Sequence, residues 1–127
     1  MDSYRTPLSR ARGLGAAKEG AGHWIAERVS SIALVPLSLW GVYAMLRLAG
    51  TDYVGAAAWI AHPLNATLMA LLAIVSFIHM HSGMRVIVED YFHGAQRAVL
   101  LIGNLFVSVL LGALAVFSIL KVALGGA

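Results

Sequence analysis

From Pro63 to Met84 the chain runs 22 residues without an Asp, Glu, Lys or Arg, and from Ala98 to Leu120 it runs another 23. At about 1.5 Å of rise per helical residue, either stretch is long enough to cross a hydrocarbon core of roughly 30 Å. A third apolar run opens at Val29 and continues to Ala49, broken only by Arg47 near its end. Pro36 lies inside that run and is compatible with a membrane helix, where serines and neighbouring helices can satisfy the carbonyl it frees. The three runs use most of the 127 residues and, with 60% hydrophobic and 12% charged side chains, leave no water-facing shell for a soluble domain. The sequence therefore predicts one all-α integral membrane domain over residues 1–127, with transmembrane helices at about 28–49, 63–88 and 97–121.

Residues 1–27 carry Arg5, Arg10, Arg12 and Lys18 among Gly, Ser and Ala, with few large apolar side chains, and read as a mobile cytosolic arm. The first apolar run starts too late and runs too long for a cleavable signal peptide. Between the first two spans, "GTDYVGAAAWIAH" reads as a polar turn and a short interfacial segment, with Tyr53 and Trp59 at headgroup level. Seven Lys and Arg fall on the side of the arm and the second loop (Arg5, Arg10, Arg12, Lys18, Arg28, Arg85, Arg97), against Arg47 and Lys121 on the other. That bias predicts a cytosolic N-terminus and an external C-terminus. It also accounts for the net charge of +3 without nucleic acid as a partner. The chain has no cysteine, so it can supply neither a disulfide nor a thiolate ligand to an iron–sulfur cluster.

In "HMHSGMRVIVEDY", residues 79–91, two histidines end the uncharged second span and an Asp-Tyr pair follows. Lipid cannot satisfy an imidazole's donor and acceptor, so a histidine at that depth needs a partner. His79 and His81 point about 200° apart on a helix, so one ligand face must choose between them. Leu72, Ser76, Gly83 and Asp90 all fall within about 60° of His79, and Gly83 removes a side chain one turn away. That opening suits either a flat macrocycle or a neighbouring helix. Haem iron is the redox partner such an imidazole fits, and with His79 the one candidate at depth, a six-coordinate haem needs its second ligand from another polypeptide or from a second copy of this one. The structural alternative is that His79 only hydrogen-bonds a neighbouring helix; for His81, nearer the inner interface, that reading is preferred. Arg28, at the cytosolic start of the first span, can meet haem propionates or serve as a plain positive-inside flank, and His23 is a weaker second candidate.

Asp90 and Tyr91 lie about 17 Å further along the same helix, at the interface. They read either as a solvated charge and an aromatic belt residue, or as a quinone site. In the second reading the Tyr91 hydroxyl donates to a quinone carbonyl and the Asp90 carboxylate, open to cytosolic water, helps supply protons. In the third span, Asn104, Ser108 and Gly112 recur at a spacing of four and form a small, polar stripe suited to close helix packing, read as an assembly surface.

The pattern His79, Gly83, Asp90, Tyr91, together with "HWIAERVSSIALVPLSLWGVYAMLRLAG" and the three-span layout, resembles the family of hydrophobic membrane anchor subunits of succinate dehydrogenase, respiratory complex II. The resemblance covers nearly the whole chain. It implies that His79 is one axial ligand of haem b, with the other supplied by a companion anchor subunit. It further implies that Tyr91, assisted by Asp90, binds ubiquinone, and that Arg28 and less directly His23 approach the haem propionates. The interval from His23 to Arg28 is shorter than expected for enterobacterial members. Implied partners are a flavoprotein subunit that oxidises succinate and an iron–sulfur subunit that passes electrons to quinone, in a bacterial inner membrane. Left open are the anchor of a quinol:fumarate reductase and, from a different class, a three-helix structural or transport-like protein without haem.

Overall fold

The structure, a computed structural model, describes residues 6–8 and 20–125. Among them the chain forms four helices: α1 (Gly20–Ala49), α2 (Tyr53–Ala61), α3 (Pro63–Tyr91) and α4 (Gly94–Ala123). Three of these, α1, α3 and α4, are long and apolar enough to cross a membrane, which fits a multi-pass membrane protein. The predicted spans are all present. The first begins two turns earlier than expected, at Gly20, so the C-terminal part of the predicted arm is helix. Trp24 and Ile25 continue the apolar character of the run, and His23 is tied to Arg85 of α3, which gives this extension a tertiary partner. The rest of the predicted arm, apart from residues 6–8, lies outside the described residues.

The spanning helices are 30, 29 and 30 residues long. At about 1.5 Å per residue each exceeds a hydrocarbon core of roughly 30 Å, so each helix carries a turn or more into the headgroup layers. His23, Asp90 and Tyr91 all lie in the terminal turns of these helices.

Local chemistry sets the corners. The Asp52 side chain accepts from the Gly55 N–H at 2.9 Å and opens α2. His62 closes α2 and opens α3, its Nδ1 accepting from the Leu64 N–H at 3.3 Å, while Pro63 takes the first helical position, where its missing N–H costs no bond. Trp59 of α2 stacks on Trp40 of α1 with ring centroids 6.0 Å apart, fastening the interfacial helix to the first span. Between α3 and α4 only Phe92 and His93 intervene, and the chain reverses through Gly94 at φ +61°, a left-handed conformation that glycine adopts without steric cost.

The third helix organises the molecule. It packs against α4 along one side and α1 along another, whereas α1 and α4 share no comparable contact. A glycine faces α3 at both seams: a Cβ on Gly41 of α1 would come within 2.8 Å of the end of the Leu72 side chain, which would have to shift, and one on Gly112 of α4 would reach 3.4 Å from Phe77, a close contact. Among the described residues the buried set is Ser30, Ala44, Ala66, Val88 and Ser108. No larger side chain is buried among them, and the outward faces carry Val, Leu, Ile and Phe suited to lipid or to partner helices.

Candidate functional site

His79 and His81 diverge to the two seams of α3, as the helical angle requires. At the α1 seam, His79 Nδ1 lies 3.2 Å from the Ser30 hydroxyl, which also donates to the Glu27 carbonyl one turn back at 3.0 Å. Ser30 is 7% exposed and lies in the seam between the two helices. The other ring nitrogen of His79, Nε2, has no partner among the described residues. One turn along, a Cβ added to Gly83 would meet nothing within 4 Å, so this chain's own packing does not require the glycine. His79 therefore presents one engaged and one free nitrogen beside an open stretch of helix.

At the α4 seam, Asn104 Nδ2 lies 3.0 Å from His81 Nδ1 and donates to the His81 carbonyl at 3.0 Å. Ser108, 5% exposed, donates to Asn104 Oδ1 at 3.3 Å. His81 thus hydrogen-bonds a neighbouring helix, the reading preferred for it, and its Nε2, like that of His79, has no partner among the described residues. The Asn104, Ser108 and Gly112 stripe faces α3 of the same chain. This corrects the expectation that it is an assembly surface: the turn through Gly94 folds α4 back onto α3, and the small side chains are consumed there. A groove of about 390 Å³ opens beside this seam, lined by apolar side chains such as Ile74, Phe77 and Val116 with His81 at one end. His79 does not line it.

Polar groups gather where the start of α1 meets the end of α3. Arg85 Nη1 donates to His23 Nε2 at 2.6 Å, and Arg85 Nε donates to Glu89 Oε1 at 2.8 Å. Arg97 of α4 approaches the same Glu89 oxygen at 3.9 Å, linking the start of α4 to the end of α3. His23, Glu27, Arg85 and Glu89 line a cleft of about 400 Å³ between the two helices, one to two turns beyond the Ser30–His79 contact. Arg28 does not line that cleft. Its guanidinium lies 5.2 Å from the Trp24 ring centroid in a cation–π contact and is exposed. Among the described residues it has no carboxylate partner.

Helix α3 continues unbroken through Asp90 to Tyr91. The condition for Asp90 to share the face of His79 is therefore met, about 17 Å along the axis. Both side chains are exposed, Tyr91 at 78%, and neither is bonded within the described residues. Among the described residues no three His, Cys, Asp or Glu side chains converge as a metal site, so any metal held by His79 needs ligands from elsewhere. Sequence reasoning passes over Ser30 and Arg85 as site residues. Arg85 carries a legible signal, its spacing of four from Glu89; Ser30 carries none beyond a small polar residue in an apolar run.

Comparison with known proteins identifies the family. The profile of the family described as succinate dehydrogenase/fumarate reductase transmembrane subunit matches residues 2–120. A succinate dehydrogenase hydrophobic membrane anchor subunit of Paracoccus denitrificans is 33% identical, over 96% of this chain and 95% of its own length. Proteins of the same description from Rickettsia conorii and Rickettsia bellii are 30% and 35% identical over 81% and 69% of this chain, covering 84% and 70% of their own lengths. No solved structure gives a significant match. With nearly its whole length matched by both the profile and the Paracoccus relative, the chain belongs to the succinate dehydrogenase/fumarate reductase transmembrane subunit family.

Proposed function

We propose that this chain anchors a succinate:ubiquinone oxidoreductase in a bacterial inner membrane, co-ligates a haem b with a companion anchor subunit, and forms part of the ubiquinone-reduction site. The relatives' description as succinate dehydrogenase anchors favours this direction over fumarate reduction. The observation that carries the ligand role is the setting of His79: Nδ1 is engaged by Ser30, Nε2 has no partner among the described residues, and Gly83 one turn along leaves the adjoining face open. Those residues fit a planar macrocycle bound through Nε2. Bound there, a haem b supplies a one-electron redox centre within the membrane.

The chain's own side chains would divide the remaining work. His79 would hold the haem iron, and since His81 is directed to the other seam, a second ligand would come from the companion anchor. Arg28, exposed and without a carboxylate partner among the described residues, is available to an anionic propionate. His23 and Arg85 already bond each other, so a propionate reaching that cleft would meet the pair and not His23 alone. At the far end of the helix, the Tyr91 hydroxyl donates to a quinone carbonyl and Asp90 relays protons from cytosolic water. Electrons arrive from an iron–sulfur subunit fed by a flavoprotein subunit.

The test uses the assembly purified through a tag on this chain, with co-purification of a flavoprotein, an iron–sulfur protein and a second anchor as the expected composition. A reduced-minus-oxidised spectrum should show a b-type signal that His79→Ala abolishes; its absence from the wild-type assembly defeats the ligand role. Tyr91→Phe should slow quinone reduction about tenfold to hundredfold, the range for losing a hydrogen bond to a group that gains charge. Succinate oxidation with an artificial acceptor should be unaffected, and unchanged quinone turnover would remove Tyr91 from the site.

A further inference from the structure

We infer that Ser30 is a positioning residue that sets the tautomer and ring direction of His79 and thereby tunes the iron that His79 would hold; this rests on the ligand role proposed above. A serine hydroxyl has one hydrogen and lone pairs to spare. At Ser30 that hydrogen points to the Glu27 carbonyl, 3.0 Å away, which can only accept. The contact of 3.2 Å to His79 Nδ1 then takes its hydrogen from the imidazole. A neutral imidazole protonated at Nδ1 has its lone pair at Nε2, the nitrogen left without a partner among the described residues, and that lone pair is what iron requires.

The arrangement is reversible in a way that matters. The Glu27 carbonyl also accepts from the Ser31 hydroxyl at 2.7 Å, so Ser31 can hold that oxygen while Ser30 turns its hydrogen to Nδ1. In that second form the imidazole proton sits at Nε2, and the ring cannot bind a metal there. A metal bound at Nε2 would select the first form: the ring would lose its proton from Nε2 to water and take one up at Nδ1, and Ser30 would accommodate that exchange by turning its hydroxyl back to the Glu27 carbonyl. Because Ser30 is buried in the seam, bulk water does not stand in for it.

A hydrogen bond from the distal nitrogen of a ligating imidazole makes the ring a stronger donor, favours ferric iron and restrains ring rotation. Ser30→Ala should therefore raise the midpoint potential of the b-type signal. It should also lower haem retention on the order of tenfold, as loss of an outer partner of a metal ligand does. Ser30→Thr keeps a hydroxyl that can bond the carbonyl one turn back, and Ser30→Val has the same shape without it. The experiment is a spectroscopic redox titration of the whole purified complex, with the haem-to-protein ratio measured alongside.

The inference predicts wild-type potential and retention for Ser30→Thr, and a raised potential with lowered retention for Ser30→Val and Ser30→Ala alike. Thr and Val variants that behave identically would overturn the role of the hydroxyl while leaving His79 as ligand. A wild-type complex without any b-type signal would overturn both readings together.

Discussion

His81 and Asn104 show how a membrane-embedded polar group is made tolerable. Asn104 meets both the ring and the backbone carbonyl of His81, and Ser108 meets Asn104 in turn, so the polar atoms of this seam answer one another. Asn104→Leu should destabilise the α3–α4 pair by about 0.6–2 kcal/mol, the range measured for hydrogen bonds between membrane helices. Its effect should show in thermal unfolding of the purified complex and leave the b-type spectrum in place. A lost spectrum with intact stability would instead connect His81 to the redox site. Both rings engage Nδ1 and leave Nε2 without a partner among the described residues; His79 does so against a lone serine beside the open face at Gly83, and His81 against the Asn104–Ser108 pair.

Among the helices, α3 bears two seams, and each is closed by a glycine on the partner helix. Gly41→Val should force Leu72 aside and cost about 1–3 kcal/mol, as overpacking does. It should also loosen the Ser30–His79 contact, so the b-type signal should broaden or weaken along with melting temperature. A normal spectrum in a destabilised Gly41→Val complex would show the two to be independent. Much of this is legible in the sequence. Charge-free runs mark the spans because lipid excludes charge, and the 200° between His79 and His81 separates their faces because helical pitch is fixed. Other features are not. The start of α1 depends on His23 meeting Arg85, which are 62 positions apart, and which seam Asn104 and Ser108 close depends on how α4 folds back. Contacts between distant segments leave no local period in the sequence, which is why Ser30 stands out only once α1 is seen against α3.

At the scale of the molecule, the described residues enclose little interior and present a large apolar exterior, as expected of a transmembrane subunit whose surroundings are lipid and other helices. The proposed orientation sets Thr51 outside and His93 inside. The chain has no cysteine, so single replacements report cleanly. In spheroplasts, Thr51→Cys should react with a membrane-impermeant maleimide, and His93→Cys should stay unlabelled while the membrane is intact. The opposite pattern would invert the topology and put Asp90 and Tyr91 on the wrong side for protons from the cytosol.

The hydroxyl of Ser30, bonded back to its own helix, also bears on how the chain is made. During synthesis α1 reaches the bilayer before α3 exists, and a serine in lipid without a partner would penalise insertion. By returning its hydrogen to the Glu27 carbonyl, Ser30 is already satisfied while α1 stands alone. Its lone pairs remain open for the imidazole that arrives 49 positions later. The same bond that Ser30 keeps in the finished seam lets the first helix wait for the rest of the protein.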